Sequence, residues 1–124
     1  MDELNAQVIA ATRLVQAGVR WKPGKAQQHL QKRIALGHLE PETQLYDYEA
    51  IISALVHDAP AEVYVYIFDD QTYPVVVGTV DNQRWLAMFG LDGVMETAFP
   101  PMDAISYLSD SRFVRLGTLQ ELGL

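Results

Sequence analysis

Residues 63–80 read Val63-Tyr64-Val65-Tyr66-Ile67-Phe68, then Asp69-Asp70-Gln71, then Thr72 to Val80 around the run Val75-Val76-Val77. The alternation of β-branched and aromatic residues has the two-residue period of a strand, whose successive side chains point to opposite faces. The acidic pair with Gln71 makes a turn, and three consecutive valines suit a central strand buried on both faces. The stretch therefore predicts two antiparallel strands at the heart of a sheet. The alternating aromatic face of Tyr64, Tyr66 and Phe68, with Tyr73, is expected to pack under helices rather than to serve as a base-stacking platform.

Toward the C terminus, Asp81-Asn82-Gln83 turns the chain into a strand over 84–89, and Asp92-Gly93 signals a hairpin into a strand over 94–99. Pro100-Pro101 stops that strand, and Asp103 is placed to cap a short helix ending at Leu108. Phe113-Val114-Arg115-Leu116 fits either a fifth, edge strand or a docked tail. Toward the N terminus, Asp58-Ala59-Pro60 ends a helix that Thr43 would cap and that turns Leu45, Tyr48, Ile52 and Leu55 inward. A helix over 25–36 ends at Gly37, and an earlier one carries Leu4, Val8, Ala11 and Val15 at helical spacing and stops at Gly18. The Arg20-Trp21-Lys22-Pro23-Gly24 turn joins these two. The sum is an α+β domain with N-terminal helices packed on one face of a four- to five-stranded antiparallel meander sheet. One domain is expected over residues 1–124, with a helical part over 1–58, the sheet over 62–99, and a short helix and tail over 102–124.

Charge is distributed unevenly on this frame. The 124 residues carry a net charge of −7, yet no acid lies between Leu4 and Leu39. Arg13, Arg20, Lys22, Lys25, Lys32 and Arg33 fall in that stretch, with His29 and His38. Such segregation can place one basic patch on an otherwise acidic body, whose overall charge disfavours a generic nucleic-acid binder. With no cysteine, disulfides and thiolate chemistry are excluded. No apolar run approaches the ~20 residues of a membrane span, and Met1-Asp2-Glu3 does not open a secretory signal, so a cytoplasmic, freestanding protein without a membrane partner is expected.

On the helix over 25–36, Ala26, Leu30 and Ile34 share one side, while Lys25, His29, Lys32 and Arg33 share another. A histidine exchanges protons near neutral pH, and neighbouring cations favour its neutral, basic form. They can also stabilise a pentacoordinate phosphate, a combination suited to metal-independent RNA cleavage by the 2′-hydroxyl. The plainer reading of the same residues is a solvated basic helix face. His38 follows Gly37 at a helix end and His57 lies near another, where capping explains both. There is no His-Glu-x-x-His string, P-loop or dinucleotide glycine fingerprint, so the sequence calls for neither a metal nor a cofactor. Thr97, at the end of the string Glu96-Thr97-Ala98-Phe99-Pro100, would offer a hydroxyl to a phosphate if that strand end faces His29.

A helix with His29-x-x-x-Arg33, a further helix, and a meander whose last hairpin ends in Thr97-Ala98-Phe99-Pro100 resembles the superfamily of small metal-independent ribonucleases that groups barnase, EndoU, colicin and RelE-like (BECR) proteins. The likeness runs from about Lys25 to Pro101 and is greatest to the prophage and polymorphic-toxin branches. It implies His29 as acid/base, Arg33 as the cation facing the phosphate and Thr97 as a phosphate-binding hydroxyl. Lys25, Lys32 and His38, from the same basic stretch, are expected beside an RNA substrate. Toxins of this kind are usually basic, whereas this chain is acidic.

Two functions from different classes follow. One is an RNase-like domain, a toxin cleaving RNA by transesterification. The other is a non-catalytic acidic interaction protein (an immunity protein, antitoxin or phage-encoded inhibitor) that binds a basic protein partner. Homodimerisation through the sheet is compatible with both.

Overall fold

A computed structural model describes residues 2–124. Three helices, α1 (Glu3–Ala17), α2 (Lys25–Ala35) and α3 (Leu45–Val56), precede the strands β1 (Glu62–Phe68), β2 (Gln71–Val80), β3 (Gln83–Phe89) and β4 (Met95–Phe99). A short helix α4 (Ala104–Leu108) and strand β5 (Phe113–Thr118) complete the chain. The five strands form one antiparallel sheet in the order β4-β3-β2-β1-β5. The architecture is thus α+β, and the segment after α4 is the edge strand rather than a loosely docked tail.

The main core lies between helices and sheet, where Val8, Ala11 and Val15 of α1 and Tyr48, Ile52, Leu55 and Val56 of α3 meet Val63, Val65, Val76, Trp85, Ala87, Phe89 and Ala98. β2 is central, and its run of three valines is buried on both faces: Val76 faces the helices, Val75 and Val77 the other side. Gly78 lets the end of α3 come close, since a Cβ there would lie 2.9 Å from Leu55 Cδ1 and 3.0 Å from Ala61 Cβ. The β2–β3 turn needs no glycine, because Asp81 and Asn82 adopt positive φ of 50° and 65°, the left-handed geometry that two-residue hairpins favour.

Two expectations are corrected. In β1 the valines face the helices, while Tyr64 and Tyr66 lie on the opposite face with Met88, Phe99, Leu108 and Phe113 around Val75, Val77 and Leu86. Small β-branched residues allow helices to approach closely, and the wide rings go where the covering is thinner. α3 is capped not by Thr43 but at Gln44, whose backbone N–H donates to the Asp47 carboxylate at 2.9 Å.

Because β4 and β5 are opposite edges, the chain after Phe99 must traverse the sheet. The helices occupy one face, so α4 crosses the other. It buries none of its own residues.

Candidate active-site cleft

α2 forms from good helix formers at 25–35 and lays Leu30 and Arg33 against the rest of the protein. Its outer face carries Lys25, Gln28, His29 and Lys32 into a cleft of about 370 Å³ that Lys22, Met95 and Glu96 close from the other side. Two local devices bring those last residues in. The strand register shifts between Met88 and Phe89, which pair with Thr97 and Met95, so Glu96 is the extra residue of a β-bulge. Bulges re-aim side chains in this way. The segment before α2 straps along the β4 edge, with Met95 N–H donating to Arg20 O at 2.8 Å and Trp21 bridging Met95. Lys22 thereby reaches the Glu96 carboxylate at 3.0 Å.

His29 is half-buried and stacked on Trp21, with ring centroids 5.2 Å apart and planes 28° from parallel. Trp21 donates its indole N–H to Glu49 at 2.9 Å and leans on Tyr48 at 5.7 Å, which leans on Trp85 at 6.4 Å. Tyr48 donates its hydroxyl to Ala98 O, and burial pushes its own pKa up to about 12. The imidazole is therefore the outermost ring of a stack rooted in the core, and its position is fixed by packing rather than by a flexible tether.

Burial holds the His29 pKa below the ordinary histidine value, and the charges of Arg33, Lys32 and Lys25 push in the same direction, while Glu96 opposes them. At neutral pH the ring is consequently uncharged and basic. The Lys22 ammonium is held above its usual value by its hydrogen bond and charge pairing with Glu96.

The residues singled out in the sequence separate into three places. His29, Lys25 and Lys32 share the cleft. Arg33 does not share their exposed face: it is 4% exposed, with its guanidinium over the Phe99 ring at 5.6 Å. Its charge acts on His29 through space, without lining the cleft. Thr97 pairs with Met88 and so shares the face opposite the helices, while its neighbour Glu96 enters the cleft instead. His38 lines a different cavity. The bulge is the reason for the Thr97–Glu96 exchange, and nothing in local sequence announces it. Lys22 and Glu96 were missed for the same reason, although opposite charges in the Trp21–Lys22 turn and β4 were the available signal.

His57 caps α3, its Nδ1–H donating to Ser53 O at 2.7 Å. Among the described residues no three His, Asp or Glu side chains gather as metal ligands would, and no helix is long and apolar enough to cross a membrane. A larger cavity, about 700 Å³, lies away from His29 between α4 and the sheet, and its charged groups are already engaged: Glu62 pairs with Arg84 at 3.8 Å, and Asp103 accepts from Ser106 N–H as the cap of α4. Comparison with family models, with curated proteins and with solved structures gives no match to this chain.

Proposed function

We propose that this protein is a small RNase-like domain that cleaves RNA without a metal, using the His29 cleft. The observation that carries the reading is a half-buried imidazole, kept uncharged, in a cleft whose rim holds Lys22, Lys25 and Lys32. A phosphodiester bound there meets three cations. His29 accepts the proton of the 2′-hydroxyl as its oxygen attacks phosphorus, and the lysines stabilise the added charge. The bond to the 5′-oxygen breaks, the proton passes from His29 to that oxygen, and a 2′,3′-cyclic phosphate and a 5′-hydroxyl result. Glu96 orients Lys22 and moderates the positive potential at His29. Arg33 serves by charge from beneath, and Thr97 has no part in the chemistry.

As a toxin, the protein would arrest growth when expressed, and His29→Ala at equal expression would not. Harmless wild-type expression with intact cellular RNA argues against this role, and so does undiminished toxicity of His29→Ala.

One feature favours the second reading, an acidic interaction protein. Met102, just before α4, is completely exposed and Ile105 on α4 is 87% exposed, a pair more usual in an interface than on a solvated surface. Co-purification with a basic protein at low salt, lost at high salt and lost in Ile105→Asp, would support that reading. No partner in a native pull-down would count against it.

A further inference from the structure

The C-terminus of α2 folds back in a Schellman motif: Gly37 takes φ 77°, its N–H donates to Ile34 O at 3.0 Å, and His38 N–H donates to Arg33 O at 2.9 Å. This geometry brings the side chains at the third-last helical position and two beyond the cap together, and that contact is usually apolar. Here it joins Arg33 to His38. No acid pairs with Arg33 among the described residues, and its buried Nε finds no hydrogen-bond partner. A buried guanidinium without a counter-charge is a costly arrangement.

Arg33 Nη1 lies 3.4 Å from His38 Nδ1. A guanidinium only donates, so in this pairing Nδ1 accepts and the proton of the neutral imidazole sits on Nε2. His38 lines a cavity of about 510 Å³, together with Leu36, Phe99, Pro100, Pro101, Met102 and Tyr107 and with the amide side chain of Gln83. The walls are mostly apolar and aromatic, with the Gln83 amide and the Tyr107 hydroxyl as further polar groups, His38 keeps its Nε2–H for a ligand, and the uncompensated Arg33 cation stands behind the imidazole.

We propose that this cavity binds a carboxylate carried on an aromatic or apolar body, with His38 Nε2–H donating to the carboxylate and Arg33 supplying the balancing charge through the imidazole. The site is spatially separate from the His29 cleft and shares no lining residue with it. Both a free aryl carboxylate and the C-terminal carboxylate of a peptide ending in an aromatic residue have this chemistry.

The test is an NMR titration of the full chain with phenylacetate, phenylacetamide, and an acetylated tripeptide ending in Phe as free acid or amide. Either acid should shift the His38 ring and the Phe99 and Tyr107 signals saturably at millimolar concentration or below, and the tighter acid names the source. Both amides should bind at least tenfold more weakly. His38→Phe keeps the ring volume, removes the donor, and should weaken binding of the acid at least tenfold while leaving the His29 signals in place. Equal response to acid and amide, no saturable response, or shifts confined to the His29 cleft would overturn the proposal. Should His38→Phe fail to fold, the acid–amide comparison on the unaltered chain decides alone, with contacts between ligand ring and Phe99 in the complex.

Discussion

His29 is governed by charges that arrive from both sides of the chain, and their signs can be separated. Lys32→Gln removes a cation that lowers its pKa and should raise it, whereas Glu96→Gln removes the opposing carboxylate and should lower it. Following the His29 ring proton against pH by NMR checks both directions, and shifts of the same sign in the two variants would refute the assignment. If cleavage needs the neutral ring, the acid limb of kcat/KM lies below pH 6.5 and moves with those two variants. Stability follows from the same shift. The folded protein binds a proton at His29 and His38 less readily than the unfolded chain, so their contribution is complete above about pH 6.5 and declines as pH falls through the folded values. The lowered carboxylates Asp110, at about 2, and Glu121 act at lower pH. Urea midpoints at pH 7.5 and 5.5 should therefore differ less in His29→Gln than in the unaltered chain. The basic face around His29 was legible because helical periodicity is local. Arg33 was not, because its burial depends on Phe99, which edge strand β4 brings beside its guanidinium from far along the sequence.

At the scale of elements, the strands and helices follow from alternation, turn residues and caps, and their order is visible in the sequence. What alternation leaves open is which face turns toward the helices, and the aromatic side of β1 went the other way. The deciding contacts are between elements: Gly78 and Ala61 admit the end of α3, and Tyr48 reaches the β4 backbone. Gly78→Val should destabilise by about 1–3 kcal/mol through overpacking. Tyr48→Phe should cost about 1–3 kcal/mol by leaving buried Ala98 O without its donor. Chemical denaturation measures both, and a neutral Gly78→Val would mean that α3 does not sit where the structure has it. The bulge at Glu96 belongs to this scale too, since one inserted residue decides whether a carboxylate or a hydroxyl faces His29.

The whole molecule presents two unequal faces. Three helices bury one side of the sheet, and the strap through α4 crosses the other because β4 and β5 lie at opposite edges. An aromatic chain runs over that side, Phe68 to Tyr66 to Phe113 to Tyr107 to Phe99, with Arg112 against one end and Arg33 against the other. Leu86→Ala, beneath it, should cost about 2–5 kcal/mol, whereas Met102→Ser on the exposed strap should change stability by no more than about 0.5 kcal/mol. The acid-free segment of the sequence resolves into one cleft rather than a basic flank: Lys22, Lys25 and Lys32 line it with His29, while Arg33 is buried against Phe99 and His38 lines a separate cavity. The measurement that bears most directly on the function is cleavage of a labelled RNA by purified protein in EDTA, with analysis of the new ends. The His29 mechanism requires 2′,3′-cyclic phosphate and 5′-hydroxyl ends from the unaltered chain and loss of cleavage in His29→Ala, with Thr97→Val unimpaired. No cleavage by protein in molar excess, or equal cleavage by His29→Ala, would contradict it.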